Sequence, residues 1–248
     1  MEIHQVASKI MHQADKLVEF SAMDEGLLRA YLTPEHKQAH AQIAQWMISA
    51  GLQTWQDSVG NQWGRKVSSN PTLPTLIIGS HSDTVANAGK YDGNLGILLG
   101  IEAMNQLSDH DFPFHIDIVA FADEEGTRFN TTLIGSSAVA GHFKPEWLDI
   151  EDSQGVTMGQ AMLDFGLDPE LAGQDKSLKE QVLAYLEVHI EQGPVLESKD
   201  LAVGVVTAIA GAKRFQLKVK GMAGHAGTSS PGLTSRRSVW RSRNDFHD

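Results

Sequence analysis

Three short apolar runs constrain this 248-residue chain more than any other feature, because each stops abruptly at a cluster of ionisable side chains. Leu76-Ile77-Ile78-Gly79 runs into Ser80-His81-Ser82-Asp83, Ile116–Ala122 into Asp123-Glu124-Glu125, and Ala184–Val188 into His189-Ile190-Glu191-Gln192-Gly193. Runs of this length read as buried strands. Strands that alternate with helical segments predict an α/β sheet with helices on both faces, whose sites collect at the carboxyl ends of the strands. Three such ends bearing His, Asp and Glu point to one polar site on one sheet edge.

The intervening pattern supplies the helices. Ile3, Val6, Ile10, Leu17 and Val18 recur at near-helical spacing over residues 2–20. Pro34 after Thr33 opens a helix over 34–50 that Gly51 ends, and Gly93–Leu107 predicts a third. Short strands are expected at Leu52–Gln56 and Gln62–Val67, around the turn Val59-Gly60-Asn61. Alternation over Val203–Ala208 and Phe215–Val219 predicts the start of a second domain. The expected division is a catalytic domain over 1–210, the start of a lid or dimerisation domain over 211–231, and an atypical tail over 232–248 with four of the chain's eight Arg.

Composition narrows the function. With 20 Lys+Arg against 31 Asp+Glu the formal charge is −11, which argues against nucleic acid as a partner. No window reaches the roughly 18 consecutive apolar residues of a membrane span. Met1–Leu17 lacks the apolar core of a signal peptide, so the expected compartment is the cytoplasm. The chain has no Cys, so any metal must sit on His, Asp and Glu.

Those residue types stand at the strand ends. His81 and Asp83 are two apart and share a face of an extended strand, which places the carboxylate to take the imidazole's second proton. Asp92 opens the turn Asp92-Gly93-Asn94, which can swing a carboxylate back toward His81. Glu124 and Glu125 are adjacent and point opposite ways on an extended segment, so one could bind metal while the other handles a proton. His189 supplies a second imidazole. Singly, each of these residues reads as readily as a hydrogen-bonded His or a solvated acid; it is their coincidence on three strands that carries the argument. The remaining His residues read as surface or core, and Met11, Met23, Met47, Met104, Met158 and Met162 as core filler.

Gly79-Ser80-His81-Ser82-Asp83-Thr84-Val85, Gly89-Lys90-Tyr91-Asp92-Gly93 and Glu124-Glu125-Gly126-Thr127-Arg128-Phe129 together resemble the M20-type dinuclear metallohydrolases. His189-Ile190-Glu191-Gln192-Gly193-Pro194-Val195-Leu196-Glu197 and Gly224-His225-Ala226-Gly227-Thr228 are similar to the hydantoinase/carbamoylase branch of that family. That branch contains allantoate amidohydrolases, N-carbamoyl-L-amino-acid hydrolases and β-ureidopropionases. The resemblance implies an α/β catalytic domain with a mixed central sheet flanked by helices, joined to a second α+β domain. It implies two divalent ions, Zn²⁺ or Mn²⁺, bridged by Asp92 and a water or hydroxide. His81 and His189 would complete one metal's ligands and Glu125 would serve the other, with Glu124 as general base and Asp83 behind His81. Gln192 and His225 would contact a small ureido or carbamoyl substrate, and the family implies a homodimer. Arg128 reads as a structural anchor.

Beyond Thr228 the resemblance stops. Ser229-Ser230-Pro231-Gly232 shifts the family's proline, and the Arg/Ser-rich stretch after it matches nothing in the family. The expectation is a chain truncated at its C-terminal side, its reading frame lost near residue 229, with little activity by itself. The leading function is an amidohydrolase cleaving a linear ureido C–N bond with release of ammonia and CO₂. Allantoate is placed ahead of N-carbamoyl-L-amino acids on the resemblance around Asp57–Asn61 and Gly64-Arg65. The alternatives are an M20 aminopeptidase or dipeptidase, against which His189-Ile190-Glu191-Gln192-Gly193-Pro194 counts, and a non-catalytic remnant. An acidic α/β binding module leaves the three ionisable strand ends unexplained.

Overall fold

A computed structural model describes residues 3–70, 72–175 and 181–209. Two compact units divide the chain, Met1–Gly193 and Pro194–Asp248. In the first, helices α1 (Ile3–Val18) and α2 (Pro34–Ser49) precede strands β1 (Gln53–Gln56), β2 (Gln62–Lys66) and β3 (Thr75–His81). Helix α3 (Asn94–Gln106) leads into β4 (His115–Phe121), then come α4 (Ile134–Val139), α5 (Met158–Phe165) and β5 (Val182–Leu186). The second unit's described part holds one short helix, α6 (Val195–Ser198).

The five strands form one mixed sheet in the order β1-β2-β4-β3-β5. β3 runs parallel to both β4 and β5, while β1 and β2 form an antiparallel flank. The mixed sheet flanked by helices is therefore present. β3 and β4 pair in full register from Thr75↔His115 to His81↔Phe121, so both release their chains at the same edge.

Side-chain alternation splits the core into two faces. On one, Ile78, Ile116, Ile118 and Ala120 pack under Ile10 and Leu17 of α1, Ile43 and Met47 of α2, and Ile97, Leu98 and Ile101 of α3. Each such aliphatic side chain contributes about 1.5–3 kcal/mol by leaving water. On the other face Ile77, Val119 and Trp63 meet Phe121 and Val139. A third cluster, around Tyr31, Phe129, Ile134, Met158 and Met162, lies beyond the end of β4 and backs the loop that follows Ala122.

Local chemistry sets the boundaries. Thr33 Oγ1 accepts from the His36 amide ahead of Pro34, a cap that stabilises α2 by about 1 kcal/mol. Gly166 closes α5 with φ +99°. The sequence pattern assigned no element between Ala122 and Ala184, yet α4 and α5 form there, with two short 3₁₀ turns at Pro145–Asp149 and Pro169–Leu171. Helices of six to eight residues span too few turns for periodicity to register. Three expectations fail. β5 forms, but Leu183, Tyr185 and Leu186 are exposed, so the third apolar run is not the buried strand it predicts. Val203–Ala208 is assigned no strand: Val203, Val205 and Val206 are exposed, and no strand pairs with them among the described residues. Met11 is exposed, its sulfur accepting from the Tyr91 hydroxyl at 3.3 Å. Phe215–Val219 and the expected domains over 211–231 and 232–248 lie outside the described residues. No helix among the described residues is long and apolar enough to cross a membrane.

α2 carries two fully buried imidazoles, His36 and His40, with ring centroids 4.1 Å apart. Burial and the nearby Arg29 guanidinium hold His40 down to about 3, and burial pulls His36 down as well. Unfolding returns both to about 6.5. The unfolded chain therefore binds more protons below that value, and the pair's neutral burial costs stability as pH falls from 6.5. Asp123, raised to about 8, works the opposite way, so a comparison of variants isolates the imidazoles. Between pH 6.5 and 4, His40→Gln is expected to show a shallower loss of denaturant midpoint than the parent; an identical slope would contradict this.

Candidate metal centre

The H-S-D segment that ends β3 is held from beneath by Arg29, which is fully buried. Its Nε donates to the Ser82 carbonyl at 2.8 Å, Nη1 to the Leu17 carbonyl at 2.7 Å, and Nη2 to Asn94 Oδ1 at 2.9 Å. One guanidinium thereby fixes the end of α1, the end of β3 and the start of α3. Burial lowers Arg29 to about 10, against the pull of Asp83, so it stays charged at neutral pH. The Ser82 side chain turns the other way, 2.6 Å from His40 Nε2 and bonded to the Phe121 carbonyl.

This foundation brings five of the expected residues together as possible metal ligands. His81 Nδ1 faces the Asp83 carbonyl oxygen at 3.0 Å, and His189 Nδ1 faces the Ile190 carbonyl at 2.9 Å. A carbonyl only accepts, so Nδ1 is the donor in both rings, and each ring turns its Nε2 toward the other ring and Asp92, where a cation would take the place of a proton. Those two Nε2 atoms are 3.4 Å apart, and Asp92 Oδ1 lies 3.3 Å from that of His189 and 3.8 Å from that of His81. A tetrahedral ion with bonds of about 2.0–2.1 Å separates its ligand atoms by about 3.3–3.4 Å. Two of the three edges match that spacing, so the donors fit a divalent cation. Asp92 reaches this point because Gly93, at φ +66°, lies so close to the His81 ring that a Cβ there would fall 2.6 Å from its Nε2.

A second group forms from His81, Glu124 and Glu125, whose ligand atoms all lie within 4.8 Å of one another. The opposite orientation expected for the adjacent glutamates does not occur. Residues 124 and 125 lie in a bend, not an extended strand, and the Asp83 carboxylate explains why. Its two oxygens accept from the Glu124 and Glu125 amides, each at 3.0 Å. Asp83 therefore anchors the glutamate pair, and its contact with the His81 ring runs through its main-chain carbonyl, the carboxylate being 3.6 Å away.

Charge crowding is the electrostatic signature. Burial opposes a charged His81, but Asp83 and Glu124 outweigh it and raise the ring to about 9. A proton is held where a cation would serve. Burial and then Glu124 raise Glu125; burial and then Asp83 raise Asp123, whose Oδ1 is buried without a hydrogen bond.

Gln192, expected to meet substrate, instead spans the Asp92 carboxylate, its Nε2 2.9 and 3.0 Å from the two oxygens. Arg128 is an anchor: it bonds Asp152 and the Tyr31 and Leu32 carbonyls. His225 lies outside the described residues. Sequence reasoning missed the support provided by Arg29, His36 and His40. Of these, only the i, i+4 spacing of the two His on an otherwise legible helix was a visible signal.

Residues 77–239 match the model of peptidase family M20/M25/M40, and the chain belongs to that family. The family is metal-dependent. The chain is 42% identical over 210 residues to an N-carbamoyl-L-amino acid amidohydrolase of Geobacillus stearothermophilus, covering 84% of this chain and 51% of that protein. It is equally 42% identical, over 208 residues, to an allantoate deiminase of Arabidopsis thaliana, covering 82% and 40%. Among solved structures, a hydantoinase/carbamoylase family amidase from Burkholderia ambifaria superposes with TM-score 0.71 at 31% identity, over 78% of this chain and 47% of that one. AtUAH in complex with (S)-hydroxyglycine does so with TM-score 0.72 at 33% identity, over 78% and 48%. The chain spans about half the length of the curated relatives it matches.

Because Asp83 orders both glutamates, Asp83→Ala is expected to weaken Zn²⁺ binding about 10–100-fold, the usual cost of losing a residue that orients ligands. Calorimetric titration reads this; unchanged affinity would show that the glutamates hold their places without Asp83.

Proposed function

We propose that this chain acts as a metal-dependent amidohydrolase on a linear ureido or carbamoyl C–N bond, with allantoate as the leading substrate. The observation that carries the reading is the convergence of two imidazole Nε2 atoms with the carboxylates of Asp92, Glu124 and Glu125. His81, His189 and Asp92 are assigned to one cation, with Asp92 shared and Glu125 serving the second. Zn²⁺ or Mn²⁺ there would polarise a carbonyl that two nitrogens make a poor electrophile, and would lower the pKa of water toward about 7.

The chain's own residues do the rest. Glu124 takes the proton of the attacking water and returns it to the departing nitrogen as the C–N bond breaks. Ammonia leaves, and the N-carboxylated amine that remains breaks down to CO₂ and the free amine of the rest of the substrate. Asp83 fixes the backbone of Glu124 by accepting the hydrogen bond of its amide, so the base keeps its aim. Gln192 is assigned to the substrate and would exchange its bond to Asp92 for one to the ureido group. His225 is assigned to the developing oxyanion. A homodimer and a lid domain over 211–231 belong to the same proposal.

N-carbamoyl-L-amino-acid hydrolysis is the second reading, favoured by the equal 42% identity to relatives of both names. Ammonia release from allantoate and from an N-carbamoyl-L-amino acid, with Mn²⁺ or Zn²⁺ added, decides between them. Glu124→Gln is expected to lower kcat about 10²–10⁴-fold while metal content is unchanged. Chelation is expected to abolish turnover, and re-addition of metal to restore it. Full turnover by the Gln variant would remove Glu124 from the mechanism.

A further inference from the structure

We propose that Glu187 is the positioning residue that sets His189 against His81, and so controls how tightly the two-imidazole end of the site grips a divalent cation. The inference rests on the metal reading of the site. It starts from strand register. β3 and β5 pair as Leu76↔Ala184, Ile77↔Tyr185 and Ile78↔Leu186. Carried three residues further, that register brings His81 opposite His189. The ladder, however, ends at Leu186, and His189 follows on an exposed segment with no strand hydrogen bonds to hold it.

Side chains continue the alignment where the backbone stops. Glu187 Oε1 accepts from the Ser80 hydroxyl at 2.9 Å, and Oε2 accepts from the Tyr185 hydroxyl at 2.9 Å. The same tyrosine hydroxyl lies 3.3 Å from the Gly79 carbonyl. One carboxylate thus ties the residue before His81 to the strand two residues before His189. From the helix side, α3 closes on the same segment: a Cβ at Gly96 would run into the Val188 carbonyl oxygen and fall 2.9 Å from Ser80 Cβ. Between these two restraints the His81 and His189 rings stack at 25° with centroids 5.6 Å apart.

Glu187 is not itself a ligand, since both of its oxygens are engaged and neither metal-capable group includes it. Its contribution is preorganisation. Without the tether, less of the order of His189 is in place before the cation binds, and the affinity bears the remaining entropy.

Zn²⁺ titration of the full chain, read by a competing chromophoric chelator, tests this with Glu187→Ala and Glu187→Gln. Glu187→Ala is expected to bind Zn²⁺ about 10–100-fold more weakly, the range for residues that orient ligands. It is also expected to weaken the visible absorption of bound Co²⁺, which reports tetrahedral geometry. Glu187→Gln can meet both hydroxyls without the charge, and is expected to recover affinity to within about threefold of the parent, since a neutral side chain still supplies the two hydrogen bonds. The melting temperature of the metal-free chain is expected to be the same in all three. Equal affinity for parent and Glu187→Ala would overturn the inference, as would a loss that tracks a lowered metal-free melting temperature. Equal weakness of the Gln and Ala variants would assign the effect to charge and overturn the positioning role. A parent chain that binds no Zn²⁺ would overturn the metal reading itself, a separate result.

Discussion

Everything at the carboxyl edge of the sheet depends on a guanidinium buried beneath it. Isolating a charge from water costs several kcal/mol unless it is well hydrogen-bonded, and every nitrogen of the Arg29 guanidinium has a partner among the carbonyls of Leu17, Phe20 and Ser82 and the amide oxygen of Asn94. Its own backbone is clipped to Thr84 in both directions, the Arg29 amide to Thr84 Oγ1 and the Thr84 amide to the Arg29 carbonyl. The loop after β3 therefore has one course. His81 and Asp83 leave it on the site side, Ser82 on the side of the two neutral imidazoles, and Asn94 starts α3 immediately after the Asp92-Gly93 turn. A positive charge in this position also suits a region where Asp83, Asp92, Asp123, Glu124 and Glu125 gather.

The acidic crowd is only partly balanced by Arg29. Asp83 spends its two oxygens on the amides of Glu124 and Glu125, which aims those side chains at His81. The result is repulsion among neighbouring carboxylates: Glu125 and Asp123 are both raised, with burial the first cause and a neighbouring acid the second. His81 answers by holding a proton up to about 9. A site that concentrates negative charge and turns two imidazole Nε2 atoms into it is arranged for cations, and two of the three spacings among His81, His189 and Asp92 are those of ligand atoms around one ion.

How much of this could be read beforehand differs from residue to residue. β3 and β4 were legible because Leu76–Gly79 and Ile116–Ala122 are buried on both faces, which makes them continuous apolar runs. The ligand candidates were legible because each lies just past such a run. The direction of the glutamates was not: it follows from Asp83, forty-one residues away from Glu124 in the chain, capturing both amides. Nor was the orienting bond of His81, which goes to a main-chain carbonyl that no pattern of side chains announces. α4 and α5 were too short for periodicity, and Val203–Ala208 had the alternation of a strand without a partner among the described residues.

By itself the sequence determined the class of chemistry. With no Cys, a metal must use nitrogen and oxygen donors, and the order of apolar runs and ionisable ends places those donors on one edge of an α/β sheet. Only the tertiary structure decided which atoms meet. Nitrogen and oxygen donors separated by up to 108 residues come within a few ångströms because β3, β4 and β5 share a register, Arg29 fixes the loop between them, and Asp83 and Glu187 carry the alignment past the last backbone hydrogen bonds. Local pattern encodes burial and periodicity, which each residue expresses alone. Ligand spacing is a relation between distant residues, and it exists only once the sheet has formed.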